Sequence, residues 1–349
     1  MYIYCERTVS DCVSRSAMRL ARSRGGSAAM IGDTRKVKNR AGASEFGASM
    51  AVMLPLLAAG VIYYLLKQNI VFGEAALVTA ALILEAAMFL SVGNEAMRRR
   101  WKPWMMAVSV GMPAVLVGAN PLVLAVSGVL AYWYIGLPRR WWVDAGYAVL
   151  FAALTLLKVS EHLYPAAVAK LPLAILGELA WARIVIWAVL EVRGQEGVGF
   201  GFVPSWREVG VGVRWYLLFV PVGALLGWAI GFTGLHQGPW LWEKMLLNAV
   251  ATFFGIYMFV AVRENFVFRG MLLQWFTDWM GSSGRAQMVV ALICGAAHLP
   301  FRQFPNWRFA LLATLAHYVY GRAFLETGSV RAAMVCHALV VVTWRVLLS

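Results

Sequence analysis

Three apolar segments in the last third of the chain each carry a residue that an apolar setting makes costly. Val262-Arg263-Glu264-Asn265-Phe266-Val267-Phe268-Arg269-Gly270 holds a carboxylate. Ala291-Leu292-Ile293-Cys294-Gly295-Ala296-Ala297-His298 holds an imidazole, and Ala332-Ala333-Met334-Val335-Cys336-His337-Ala338-Leu339 holds a second. A charge at the bilayer centre costs at least ~2.5–3.5 kcal/mol, so an intramembrane Glu or His is by default expected to have a function. A carboxylate with an imidazole can position and deprotonate a water for attack on an amide carbonyl. A second imidazole can donate to the developing oxyanion or complete a metal site. Glu plus two His is also a catalytic zinc set with one position open for water. Either route arrives at hydrolysis. Gly295, Ala296 and Ala297, and Ala332 and Ala333, are small enough to let helices approach and bring the three groups into one cavity.

Each residue alone has a plainer reading. Glu264 could pair with Arg263 or Arg269 at an interface, and a histidine in an apolar run commonly hydrogen-bonds between helices. His317, between the two segments that carry His298 and His337, is read this way first, with direct involvement in the site as its alternative. Glu85, Glu178 and Arg183 also lie in or near apolar runs, with Glu178 and Arg183 expected to pair across helices or to line a cavity. His162 and His236 fall in loops, and none of these five is placed in the site.

The elements that must position the site are membrane helices. Of 349 residues, 61% are hydrophobic and 14% charged, against about a quarter charged in a soluble chain. Such an excess needs lipid as its solvent, and each span of ~20 apolar residues is then a helix that satisfies its own backbone. Sixteen Trp and twelve Tyr fit the aromatic belts at membrane interfaces. Apolar runs lie at about 50–66, 72–93, 104–118, 121–137, 143–160, 171–192, 213–232, 245–262, 286–299, 307–325 and 329–348. They predict an all-α, polytopic transmembrane bundle of about 10–11 membrane helices, some short enough to be re-entrant or broken. Residues 1–48 read as a polar, basic, disordered leader, or as an over-extended start with Met30 or Met50 as the true one; 49–240 as N-terminal membrane helices of unknown role; and 241–349 as the core bearing the site.

The net charge of +14 does not point to nucleic acid, because its basic residues cluster at the ends of apolar runs, as at Arg98 to Arg100 and at Arg139 and Arg140. Placing the leader in the cytoplasm puts Arg98 to Lys102, Arg139 and Arg140, and Arg193 to Arg214 on one side. This positive-inside pattern predicts a multi-pass cell-membrane protein with a cytoplasmic N-terminus and with Arg263 to Arg269 near the cytoplasmic face. Cys5, Cys12, Cys294 and Cys336 form no disulfide framework. The Gly-rich stretch Gly194 to Gly212 lacks the Lys and the context of a phosphate loop, and reads as a flexible interhelical loop dividing two halves.

Over about residues 245–348 the three segments resemble the CPBP family of intramembrane proteases, which includes the type II CAAX prenyl endopeptidases. That family is recognised by Glu-Glu-x-x-x-Arg, then Phe-x-x-x-His, then His-x-x-x-Asn or Asp, and Thr327-Gly328-Ser329 is similar to its loop before the last motif. The resemblance implies an endopeptidase acting near the cytoplasmic face on a peptide or membrane-protein substrate, with the lipid bilayer as its other partner. It makes Glu264 the residue that activates water, His298 its partner, and His337 the oxyanion stabiliser, with Asn265 and Arg269 in supporting positions. If a divalent metal such as zinc is present, it implies Glu264, His298 and His337 as ligands and a metalloendopeptidase. Asn265 replaces the second glutamate and so removes its ion pair with Arg269, Cys294 replaces the motif Phe, and Val341 replaces the last Asn. Arg269 could turn to Glu264 instead, although a five-residue offset points the two apart on an ideal helix. Cys294 is either a soft metal ligand one turn before His298 or a small buried hydrophobe. These departures sustain an alternative, a catalytically degenerate member of the fold acting as a membrane scaffold or immunity factor. A transporter is the third reading, without the repeated broken spans that mark one.

Overall fold

In this computed structural model the described residues are 69–165, 172–234, 241–301 and 304–348, together with 47, 50, 51, 54–62, 64 and 65. The predicted leader, apart from Gly47, and His236 lie outside them. Among the described residues the architecture is all-α, a bundle of membrane helices. The longer helices are α1 (Phe72–Gly93), α2 (Pro103–Leu116), α3 (Leu122–Tyr132), α4 (Trp141–Leu156), α5 (Ala174–Trp187), α6 (Trp206–Ala229), α7 (Trp242–Met280), α8 (Ser283–Ala297), α9 (Trp307–Thr327) and α10 (Val330–Val346). Of these, α1, α6 and α7 are long and apolar enough to cross a bilayer, whereas α2, α3, α4 and α8 are shorter apolar helices of 10–17 residues. A full span needs ~20 residues. The reason for one shortening is local: the run at 104–118 starts at Pro103 and is interrupted at Val110 ahead of Pro113, whose ring removes a donor and crowds the preceding turn.

Helix α5 is buried on nearly every side, the pattern of a helix enclosed by others. Its Arg183 pairs with Glu85 of α1 rather than with Glu178, Nε to Oε1 at 2.7 Å and Nη2 to Oε2 at 3.1 Å. Lipid-sized apolar side chains cover the outside of the bundle, among them Leu217, Leu225 and Trp228 on α6 and Leu246 and Leu247 on α7.

The stretch expected to be a flexible divider is pinned. The Val198 carbonyl accepts from Val330 N at 3.0 Å, the Gly199 carbonyl from Ser329 Oγ at 2.9 Å, and Gln195 Oε1 from Trp275 Nε1 at 3.1 Å. Gly199 has φ +53°, and a Cβ there would lie 2.6 Å from Ser329 Cα, so glycine is what lets this loop dock. Ser205 and Glu208 then form a capping box that starts α6. Glu208 also receives Arg331 at 2.8 Å, which ties α6 to α10. Helix α6 packs along both α9 and α10.

Helix α7 runs unbroken for 39 residues, about 58 Å at 1.5 Å per residue and well beyond a ~30 Å hydrocarbon core. Two π-helical stretches, Ile256–Ala261 and Phe266–Leu273, flank the single α-turn Val262–Asn265. Hydrogen bonding to the fifth residue changes the angular step of the helix, and such segments recur at functional sites. Here they set the direction in which Glu264 and Asn265 project.

Candidate active site

Glu264 sits on that central turn, with its side chain 23% exposed and Oε2 3.7 Å from His317 Nε2. His298 caps the C-terminus of α8. Its Nδ1 is 2.8 Å from the carbonyl oxygen of Cys294. A carbonyl only accepts, so Nδ1 carries the proton and the Nε2 lone pair of the neutral ring is free. Helix α8 reaches this position because Gly295 has no side chain: a Cβ there would overlap Thr314 Oγ1 and lie 2.8 Å from the Ala310 carbonyl of α9. This is the close approach expected from the small residues beside His298.

His317 comes from α9. It is buried, its ring centroid is 5.7 Å from that of His298 and 5.9 Å from that of His337, and the edges of Phe268 and Tyr320 enclose it. Its Nδ1 is buried without a hydrogen-bond partner. One ligand atom each from Glu264, His298 and His317 lie within 4.8 Å of one another. The carboxylate and the first imidazole therefore converge, but the third member of the cluster is His317, which the sequence offers only as an alternative to His337. The available signal was a histidine inside a helical run between the two motif histidines.

His337 is displaced from that cluster because it is held elsewhere. Its Nδ1 is 3.2 Å from Asn265 Nδ2, and its ring stacks on Tyr320 at 4.7 Å and 13°. Arg269, fully buried, does not turn to Glu264. Its Nη2 donates to the carbonyl of His317 at 2.7 Å, and its guanidinium lies 5.4 Å from the Tyr320 ring. Arg269 thus fixes the backbone that carries His317. Arg263 pairs with Glu178 on α5, which anchors α7 one residue before Glu264. Cys294 is fully buried with Sγ 3.9 Å from His298 Nδ1 and lies outside the convergent group, so its contribution is the carbonyl that orients the ring. Thr343 bonds Tyr216 Oη at 2.8 Å and faces α6, away from the site.

Residues 246–343 match the family described as type II CAAX prenyl endopeptidase Rce1-like. Over those residues the chain is similar to the Rce1-like family. No curated protein and no solved structure matches the chain. The Rce1-like segment runs from the start of α7 into the last turn of α10, and it contains Glu264, Asn265, Arg269, His298, His317 and His337. The match supports a CAAX-type protease core embedded in a bundle of membrane helices.

Proposed function

We propose that the chain is an intramembrane endopeptidase in which Glu264 and His298 activate a water for attack on a peptide carbonyl. The observation that carries this reading is the convergence of Glu264, His298 and His317 within 4.8 Å at the C-terminal end of the apolar run of α7. Glu264 takes the proton of the attacking water and returns it to the departing amine. His298 presents its Nε2 lone pair to the same water, and His337 donates to the oxyanion. Arg269 and Asn265 hold these groups in place. The substrate is a peptide or membrane-protein segment that reaches the site through the bilayer. The basic residues Arg98 to Lys102, Arg139, Arg140 and Arg193, which favour the cytoplasmic side, support cleavage near that face.

The donor set also fits a divalent ion such as zinc, with a ligand set that differs from the motif-based expectation. Glu264, His298 and His317 offer one carboxylate and two imidazoles, and His317 Nε2 faces Glu264 Oε2 at 3.7 Å. His337 is the poorer ligand because Asn265 already occupies its Nδ1. A bound ion would supply Lewis-acid activation of the water and carbonyl. Replacing His317 with Ala is expected to strip stoichiometric metal from the purified chain, read by elemental analysis. Retention of the metal in that variant would exclude His317 as a ligand.

The test of the protease reading is cleavage of a membrane-tethered reporter peptide by the full chain in proteoliposomes. Glu264→Gln is expected to accumulate normally and leave the reporter intact. A degenerate scaffold instead keeps its biological function when His298 and His337 are replaced together.

A further inference from the structure

Asn265 stands where the Rce1-like pattern has its second glutamate, and the exchange has a consequence at His337. Its Nδ2 lies 2.7 Å from the carbonyl oxygen of Ala261 and 3.2 Å from His337 Nδ1, with Asn265 fully buried. A carbonyl oxygen can only accept, so the amide atom that faces Ala261 is the NH2 group and the orientation of the amide is settled chemically. One of its hydrogens goes to Ala261 and the other to His337. The amide keeps this orientation although its Oδ1 is buried and unpaired, a cost that the two donor bonds must outweigh.

His337 Nδ1 therefore accepts, and the proton of the neutral ring resides on Nε2. We propose that Asn265 is a positioning residue that locks His337 as the Nε2–H tautomer, so that the free edge of the ring is a hydrogen-bond donor. An ionised glutamate at 265 would only accept and would draw the ring proton to Nδ1, leaving a lone pair at Nε2. The two motif histidines are thus set in opposite tautomers by two different devices. The Cys294 carbonyl makes His298 Nε2 a base or ligand, and the Asn265 amide makes His337 Nε2 a donor. Tyr320, stacked on His337 at 13°, holds the plane of the ring while Asn265 selects its proton.

The use of this lock in catalysis rests on the protease reading; the tautomer does not. The experiment is nitrogen and carbon NMR of the full chain labelled at histidine and reconstituted in bilayers, with the His337 signal assigned by its loss in His337→Gln. The expected result is a protonated Nε2 and a bare Nδ1 on His337, and a protonated Nδ1 would overturn the proposal without any variant at 265. Asn265→Asp, of nearly the same size, is expected to move the proton to Nδ1. It should lower kcat on the reporter about 10²-fold, the scale for losing one oxyanion donor, with KM held within about twofold. A switched tautomer with unchanged kcat overturns the positioning role. A wild-type chain with the Nε2–H tautomer and no cleavage overturns the protease reading while supporting the lock.

Discussion

Two of the sets of charged groups inside this bundle are finished differently. Between α1 and α5, Arg183 is completely buried, and each of its three nitrogens has a partner: both oxygens of Glu85, Ser109 Oγ at 2.8 Å and Met106 Sδ at 3.4 Å. In the Rce1-like segment, Glu264 and His317 stop 3.7 Å apart, beyond hydrogen-bond reach. Arg269 Nη1, His317 Nδ1 and Asn265 Oδ1 are buried without partners. The other unpaired buried atoms among the described residues are the indoles of Trp181 and Trp187, the phenols of Tyr134 and Tyr257, and Gln287 Oε1, and of the whole group only Arg269 Nη1 belongs to a charged side chain. Buried polar groups left open each need an explanation, and a reaction site is one. A closed charge network holds helices together, whereas an open one keeps capacity for water, substrate or an ion. That contrast separates a structural charge from a chemical one where composition alone treats them alike.

The comparison can be broken in several places. The largest effect is expected in the open set: His298→Gln should lower reporter cleavage by about 10²–10⁴-fold, the range for a positioned acid–base group, with little change in thermal unfolding. In the closed set the signs reverse. Glu85→Gln leaves the buried Arg183 without a counter-charge and is expected to cost about 3–5 kcal/mol in detergent unfolding. Replacing both residues together, Glu85→Leu with Arg183→Met, should recover most of that loss. Cleavage per folded molecule should survive in both.

Smaller effects sharpen the boundary between the sets. Gly295→Ala forces α8 away from α9 at Thr314 and Ala310. It should cost about 1–3 kcal/mol by overpacking and also reduce cleavage, because His298 ends the same helix. At the bottom of the scale is the exposed pair of Arg99 with Glu95, both more than half exposed. Arg99→Ala should change stability by less than about 0.5 kcal/mol and leave cleavage untouched.

Much of this was legible in the sequence because it is local. Glu264, His298 and His337 stand out as polar residues in apolar runs, and the Thr327-Gly328-Ser329 turn, picked out by its similarity to the family's loop before the last motif, ends α9 at Gly328 with φ +65° and caps α10 with Ser329. His317 was legible only as an alternative site residue, since its approach to Glu264 depends on two π-helical stretches in α7 and its approach to His298 on how closely Gly295 lets α8 meet α9. Neither is a property of the segment that carries His317. The roles of Arg269 and Asn265 were hidden for the same reason, as their partners, the His317 carbonyl and His337 Nδ1, lie 48 and 72 residues away. The Gly-rich loop misled because glycine marks both flexibility and close docking, and at Gly199 it is docking.

The most direct test sets Glu264→Gln beside Glu85→Gln, one carboxylate from each set, and measures reporter cleavage and thermal unfolding on both in proteoliposomes. The account predicts that Glu264→Gln loses cleavage and unfolds like the unaltered chain, and that Glu85→Gln unfolds early yet cleaves normally while folded. Wild-type cleavage by Glu264→Gln would contradict it.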